Sequence, residues 1–237
     1  MPNLSRCVYC RKDFPHAGLT RDHVIAGSWY PQSTPQTVQR ITALSCRPCN
    51  TRYSANERYL LLHLAACVDP KLPGADGIWE KAKRTMDVTR ARDDKERAHR
   101  QGARERLGRS AFEMENIPDG GVLPSFVQNF NLGSRTAMVI EAGKLNSVVE
   151  KWGLGVHSHV WKEAALVDAE VEVLHVGEPV TQEAFRGSEE HWKSIDCGPG
   201  IQIRYLAERE VDERYSLYEF RIWETLVTHV SIRETLK

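Results

Sequence analysis

The residues best able to do chemistry in this 237-residue chain crowd into its first fifty. Two pairs of cysteines, Cys7-Val-Tyr-Cys10 and Cys46-Arg-Pro-Cys49, each have the C-x2-C spacing of a metal knuckle. Together they supply four thiolates, enough for a closed tetrahedral zinc site with no open position, so the ion they imply is structural. One such pair alone could be a redox dithiol; two within fifty residues point to structural Zn2+. The gap between the pairs is longer than in a simple zinc ribbon, so something is inserted there. That insert contains Thr20-Arg21-Asp22-His23-Val24-Ile25, an acid beside an imidazole, and Asn50 directly follows the second pair.

This order of knuckle, Asp-His, knuckle and Asn resembles the HNH (ββα-metal) endonuclease superfamily. Within it, the chain is most similar to the zinc-containing branch that includes phage recombination endonuclease VII. The stretches HVIAGSWYPQSTPQ and SCRPCN also look like a group of uncharacterised bacterial HNH proteins. The resemblance covers about residues 5 to 65. It implies a metal-dependent endonuclease that hydrolyses phosphodiester bonds, with double-stranded DNA as partner and 5′-phosphate and 3′-hydroxyl ends as products. His23, whose imidazole titrates near neutrality, is then the general base for the attacking water. Asp22 and Asn50 are the hard oxygen ligands of a catalytic Mg2+ or Mn2+. Adjacent residues on an extended strand point to opposite faces, so Asp22 can face the metal while His23 faces the water. Arg21, Arg47 and Arg52 flank this centre as expected phosphate contacts. Two departures from the superfamily pattern stand out. Arg40 and Ile41 occupy the region of its middle Asn, with Gln39 nearby, and Ala26 stands where many members have Pro. They favour the alternative function, a catalytically weak or inactive zinc-binding module that contacts nucleic acid or protein.

The elements needed to position these residues can be read around them. The expected architecture is α+β. A zinc-stapled ββα-metal module occupies residues 1–68, with Asp22-His23 ending its first strand and Asn50 opening its helix. From Asn50 to Cys67 the apolar positions Tyr53, Leu60, Leu61 and Leu64 fall near helical spacing, and Asp69-Pro70 stops the run. The LPGADG stretch at 72–77 is a loop. Residues 69–116 form a linker whose strongly charged part, 78–109, reads as an exposed helix, with Gly102 as its candidate break and a thin apolar stripe of Trp79, Ala82, Met86 and Ala98. A C-terminal α+β domain, 117–237, begins with the loop IPDGGVLPS (117–125). An amphipathic helix over 135–152 follows, with Met138, Val139, Ala142, Leu145 and Val149 on one side, and ends at Gly153. Alternating segments at 171–176, 201–207, 215–223 and 226–232 then predict a mainly antiparallel sheet.

Composition adds limits. The formal net charge is zero, but residues 1–110 hold 20 Lys and Arg against 11 Asp and Glu, whereas residues 111–237 hold 12 against 21. A basic front half suits a polyanion such as nucleic acid. No apolar run approaches the ~18 residues of a membrane span, and the first residues lack an apolar signal core. A cytoplasmic, reducing setting is therefore expected, in which close cysteine pairs bind metal. Trp29 and Tyr30 are expected to pack rather than stack on bases. His157-x-His159 has no evident third ligand and reads as surface or structural, and Cys67 and Cys197 read as isolated thiols. The oligomeric state is left open.

Overall fold

In a computed structural model the chain is mixed α and β, and the structure describes residues 4–69, 71–113, 136–175 and 189–236. Two short antiparallel strands, β1 (Leu4–Arg6) and β2 (Asp13–Pro15), form a hairpin whose turn carries Cys7 and Cys10. Next, β3 (Leu19–His23) pairs antiparallel with β4 (Thr42–Cys46), and β4 leads without a loop into α1 (Arg47–Ala65). Pro48 in the first turn suits that junction, because its missing N–H has no helical partner there anyway.

The charged segment is not one helix. It divides into α2 (Ile78–Met86) and α3 (Asp94–Arg109), separated at 87–93 rather than near Gly102. Two aspartates explain the break: Asp87 accepts from the Thr89 N–H at 3.0 Å, and Asp93 caps α3 by accepting from the Glu96 N–H at 2.7 Å. Neither helix is a free spacer, since Arg100 of α3 donates to the Asp87 carbonyl at 3.2 Å and Ala82 of α2 is fully buried. The segment ends in β5 (Ala111–Glu113), which pairs with β6 (Thr136–Met138). The loop expected at 117–125 lies outside the described residues.

The C-terminal helix is displaced from its expected span. Residues 136–138 are extended, and α4 runs Ala142–Trp161, straight through Gly153. Gly153 and Gly155 serve close packing here instead of termination. A Cβ on Gly153 would lie 2.5 Å from Val230 Cγ1, and one on Gly155 2.5 Å from Val24 Cγ2. α4 therefore fits tightly against the C-terminal sheet on one side and the N-terminal strands on the other.

That sheet contains β7 (Glu170–His175), β8 (Lys193–Asp196), β9 (Ile201–Arg209), β10 (Glu213–Ile222) and β11 (Leu226–Thr235). Its order is β7-β11-β10-β9-β8, with every neighbouring pair antiparallel. Four strands fall where alternation predicts them; β8 is additional, and Val176 of the expected first strand lies outside the described residues. Ser216, Tyr218 and Phe220 alternate toward α4, where they meet Trp161, His157 and Trp152, as a pleated strand requires. The β10–β11 turn holds Trp223 at φ 49° and Glu224 at φ 56°, a left-handed conformation unusual for such side chains. Packing maintains it. The Trp223 ring stacks on Trp29 with centroids 5.2 Å apart, and its Nε1 donates to the Trp29 carbonyl at 3.1 Å. Trp29 also meets Trp152 of α4 edge-on at 5.1 Å. Trp29 and Tyr30 thus do pack, but against the C-terminal half, and one apolar core runs through both halves without a break. No helix among the described residues is long and apolar enough to cross a membrane.

Candidate metal centre and the buried charges beside it

The four cysteines of the two knuckles come together. One sulfur from each of Cys7, Cys10, Cys46 and Cys49 lies within 4.8 Å of all the others, and Cys10 and Cys46 are 3.9 Å apart. Tetrahedral zinc–thiolate bonds of ~2.3 Å would place sulfurs ~3.8 Å apart, so the cluster is compatible with a metal such as zinc. Local backbone builds it. Arg11, just past Cys10, adopts φ 60° and lets the hairpin turn around the knuckle, while its guanidinium donates to the Ala169 carbonyl at 2.8 Å. The Cys46 N–H donates to the Cys7 sulfur at 3.3 Å. Burial raises the Cys7 pKa, but donors from the Cys10, Cys46 and Tyr9 backbones outweigh it, so the thiol sits below its ordinary range. Cys10 and Cys49 are shifted the other way, chiefly by burial. Cys67 and Cys197 stand apart from it as free thiols.

Asp22 and His23 end β3, opposite Ala43 and Thr42 of β4. Their side chains separate as strand geometry requires. His23 is exposed, whereas Asp22 is turned inward toward α1 and α4. Beside Asp22 is Lys151 of α4, only 1% exposed. Its ammonium lies 2.9 Å from the His23 carbonyl, 3.0 Å from each carboxylate oxygen of Glu57 on α1, and 3.1 Å from Asp22 Oδ2. An ammonium has three hydrogens, and the first three oxygens take them. Asp22 Oδ2 receives the charge but no hydrogen bond, and it is a buried oxygen without a donor. The Tyr9 hydroxyl is buried beside the same carboxylate. Burial, then the charges of Asp22 and Glu57, then a hydrogen bond to Asp22, push that phenol far above its usual range.

Glu57 is 3% exposed, and burial raises its carboxyl to about 7 even though Lys151 pulls the other way. Asn50 sits in the first turn of α1, two turns before Glu57 on the same side, and its Oδ1 accepts from Ser54 Oγ at 3.3 Å. The structure therefore brings Asp22 to Glu57 and Lys151, and gives Asn50 a different partner. The three expected phosphate contacts, Arg21, Arg47 and Arg52, are all exposed. Arg52 lies over the Tyr53 ring at 4.5 Å and donates to its hydroxyl at 2.7 Å. Arg21, Thr42 and Leu44, on the side of the β3–β4 ribbon away from Asp22, open onto a cavity of about 570 Å³ also lined by Arg6, His16 and Lys162.

Sequence reasoning missed Glu57 and Lys151, yet both carried a signal. Glu57 falls on the same helical stripe as Tyr53, Leu60, Leu61 and Leu64; Lys151 falls between Val148 and Trp152 on the buried face of α4. A charge on a core stripe needs a buried partner, and these two are each other's. The H-x-H pair resolves as expected for a structural residue. His157 is fully buried between Glu234 Oε2 and the Tyr218 hydroxyl, each at 3.0 Å, while His159 is exposed. No protein-family model, curated protein or solved structure matches the chain.

Proposed function

We propose that residues 1–68 form an HNH-type nuclease module that hydrolyses phosphodiester bonds in double-stranded DNA, held by structural zinc at Cys7, Cys10, Cys46 and Cys49. The observation that carries this reading is the pair at the end of β3: an inward Asp22 with a buried oxygen that lacks a donor, next to an outward His23 open to solvent. Two antiparallel strands followed directly by a helix, closed by four sulfurs, supply the framework such a module needs. The orphaned Asp22 oxygen fits a hard divalent ion, with Asn50 as the second expected ligand; when bound, that ion supplies charge neutralisation for the phosphoryl oxygens and the leaving oxygen. His23 accepts the proton of the attacking water at its imidazole, and exposed Arg21, Arg47 and Arg52 hold flanking phosphates.

The test is nicking of supercoiled plasmid with Mg2+ or Mn2+ by the zinc-loaded chain and by His23→Ala. General-base removal typically costs ~10²–10⁴-fold, so the variant is expected to be at least about a hundredfold slower. Equal rates in two folded proteins would dismiss the mechanism.

A second reading is favoured by one specific observation, the Lys151 ammonium 3.1 Å from Asp22. With that carboxylate already facing a cation, the module would bind DNA without turnover. Retained DNA binding, with no nicking by parent or variant at any Mn2+ concentration, would establish it.

A further inference from the structure

We infer that Lys151 competes with the divalent ion for Asp22, so that α4, from the C-terminal half of the chain, sets the metal affinity of the candidate centre. This rests on the reading of Asp22 as a metal ligand. The ammonium meets four oxygens: Asp22 Oδ2, both oxygens of Glu57 and the His23 carbonyl, all at 2.9–3.1 Å. That is an oxygen cage of the kind a hard cation uses, with a side-chain cation already in it. The occupation is incomplete. Its three hydrogens go to Glu57 and His23, so Asp22 Oδ2, 3.1 Å away, takes no hydrogen bond from it. A metal ion at Asp22 would sit against a like charge close to the same oxygen.

Lys151 does not swing aside freely. Its side chain is 1% exposed, and α4 is fixed on both flanks. Asn56 of α1 donates to Ser147 at 3.0 Å, Trp152 abuts Trp29, and Gly153 and Gly155 admit Val230 and Val24 at distances no larger residue allows. The position of the ammonium is thus set by how α4 seats between the two halves. A shift of that helix would exchange an internal cation for an external one.

The experiment is Mn2+ binding to the zinc-loaded full chain, read by the electron paramagnetic resonance signal of free Mn2+. The parent should bind weakly at Asp22. Lys151→Gln keeps N–H donors for Glu57 while removing the charge, and should bind Mn2+ at least about tenfold more tightly, since a like charge a few ångströms from a divalent ion is strongly repulsive. Lys151→Arg should behave as the parent. Asp22→Asn added to Lys151→Gln should abolish the gain. Zinc content and circular dichroism confirm that each variant is folded. Unchanged Mn2+ affinity in folded Lys151→Gln overturns the inference. So does a parent chain that binds Mn2+ at low micromolar levels through Asp22, a result that needs no Lys151 variant. Tighter Mn2+ without nicking by any protein would retain the competition and remove the nuclease reading; nicking with unchanged affinity would do the reverse.

Discussion

α4 carries two buried charge clusters six residues apart, and they are built to different standards. On the sheet side, Glu234 is fully enclosed and supplied on both oxygens. The Leu166 N–H donates to Oε1 at 2.7 Å, while His157 and Arg214 lie 3.0 and 2.8 Å from Oε2. Burial works to raise that carboxyl, but those partners more than offset it, so its pKa lies below the usual range. On the N-terminal side, Glu57 shares one ammonium with Asp22; burial prevails for Glu57, and Asp22 keeps an oxygen without a donor. Each cluster leaves one buried atom without a hydrogen bond, Arg214 Nε on the sheet side and Asp22 Oδ2 on the N-terminal side, at a cost of ~1–3 kcal/mol each. The clusters differ in which effect prevails at the carboxyl: partners prevail at Glu234, burial at Glu57.

The largest expected effect breaks one side of this contrast alone. Zinc contributes apparent free energies of ~10–16 kcal/mol in small metal-held modules, and β1 to β4 are strands of only three to five residues. Chelation, or Cys46→Ser, should release backbone amides in β1–β4 and the first turns of α1 to hydrogen exchange, while β10 and β11 keep their protection. A metal-free chain with β3 and β4 still protected would show that the thiolates do not hold the module. A smaller effect sharpens the contrast. Lys151→Met leaves Glu57 buried without its cation and should cost about 3–5 kcal/mol in urea unfolding, as breaking a buried pair does. A loss below ~1 kcal/mol would mean that the ammonium contributes little to holding α4 on α1.

The part of the molecule legible in the sequence is the part fixed by spacing. The C-x2-C pairs specify their own meeting, and alternation over 201–207, 215–223 and 226–232 locates β9, β10 and β11 to within a few residues. What escapes is set by contacts distant along the chain. Gly153 reads as a helix stop until Val230 is placed against it, 77 residues on. Trp29 reads as part of a small metal unit until Trp223 stacks on it from the β10–β11 turn. The charged run 78–109 looks solvated because its apolar stripe is thin, although Ala82 is fully buried and Arg100 bonds back to Asp87. Of the candidate centre, the order Asp22, His23 and Asn50 is visible in one dimension. The cation beside it is not, because Lys151 comes from a helix more than a hundred residues away.

The smallest effect concerns pH and tests whether the N-terminal cluster is as poorly compensated as its geometry implies. Glu57 has a folded pKa of about 7, above its ordinary 4.5. Between these values the folded chain binds more protons at Glu57 than the unfolded chain does. The contribution of this group is therefore most favourable below about pH 4.5, declines as pH rises toward 7, and levels off above it. Its full span corresponds to up to about 3 kcal/mol. Other groups titrate in the same range, including His63, whose pKa burial lowers, so the quantity to measure is a difference. Urea unfolding of the parent and of Glu57→Gln, both zinc-loaded, at pH 5, 6, 7 and 8 isolates it. The parent's stability relative to the variant should fall from pH 5 to 7 and change little from 7 to 8. A difference that stays flat would mean that Lys151 keeps Glu57 near its ordinary value. A difference that rises with pH would mean that Lys151 holds Glu57 ionised as firmly as His157 and Arg214 hold Glu234. Either result would remove the distinction between the two clusters, and Asp22 would then have to be argued as a metal ligand on its unpartnered oxygen alone.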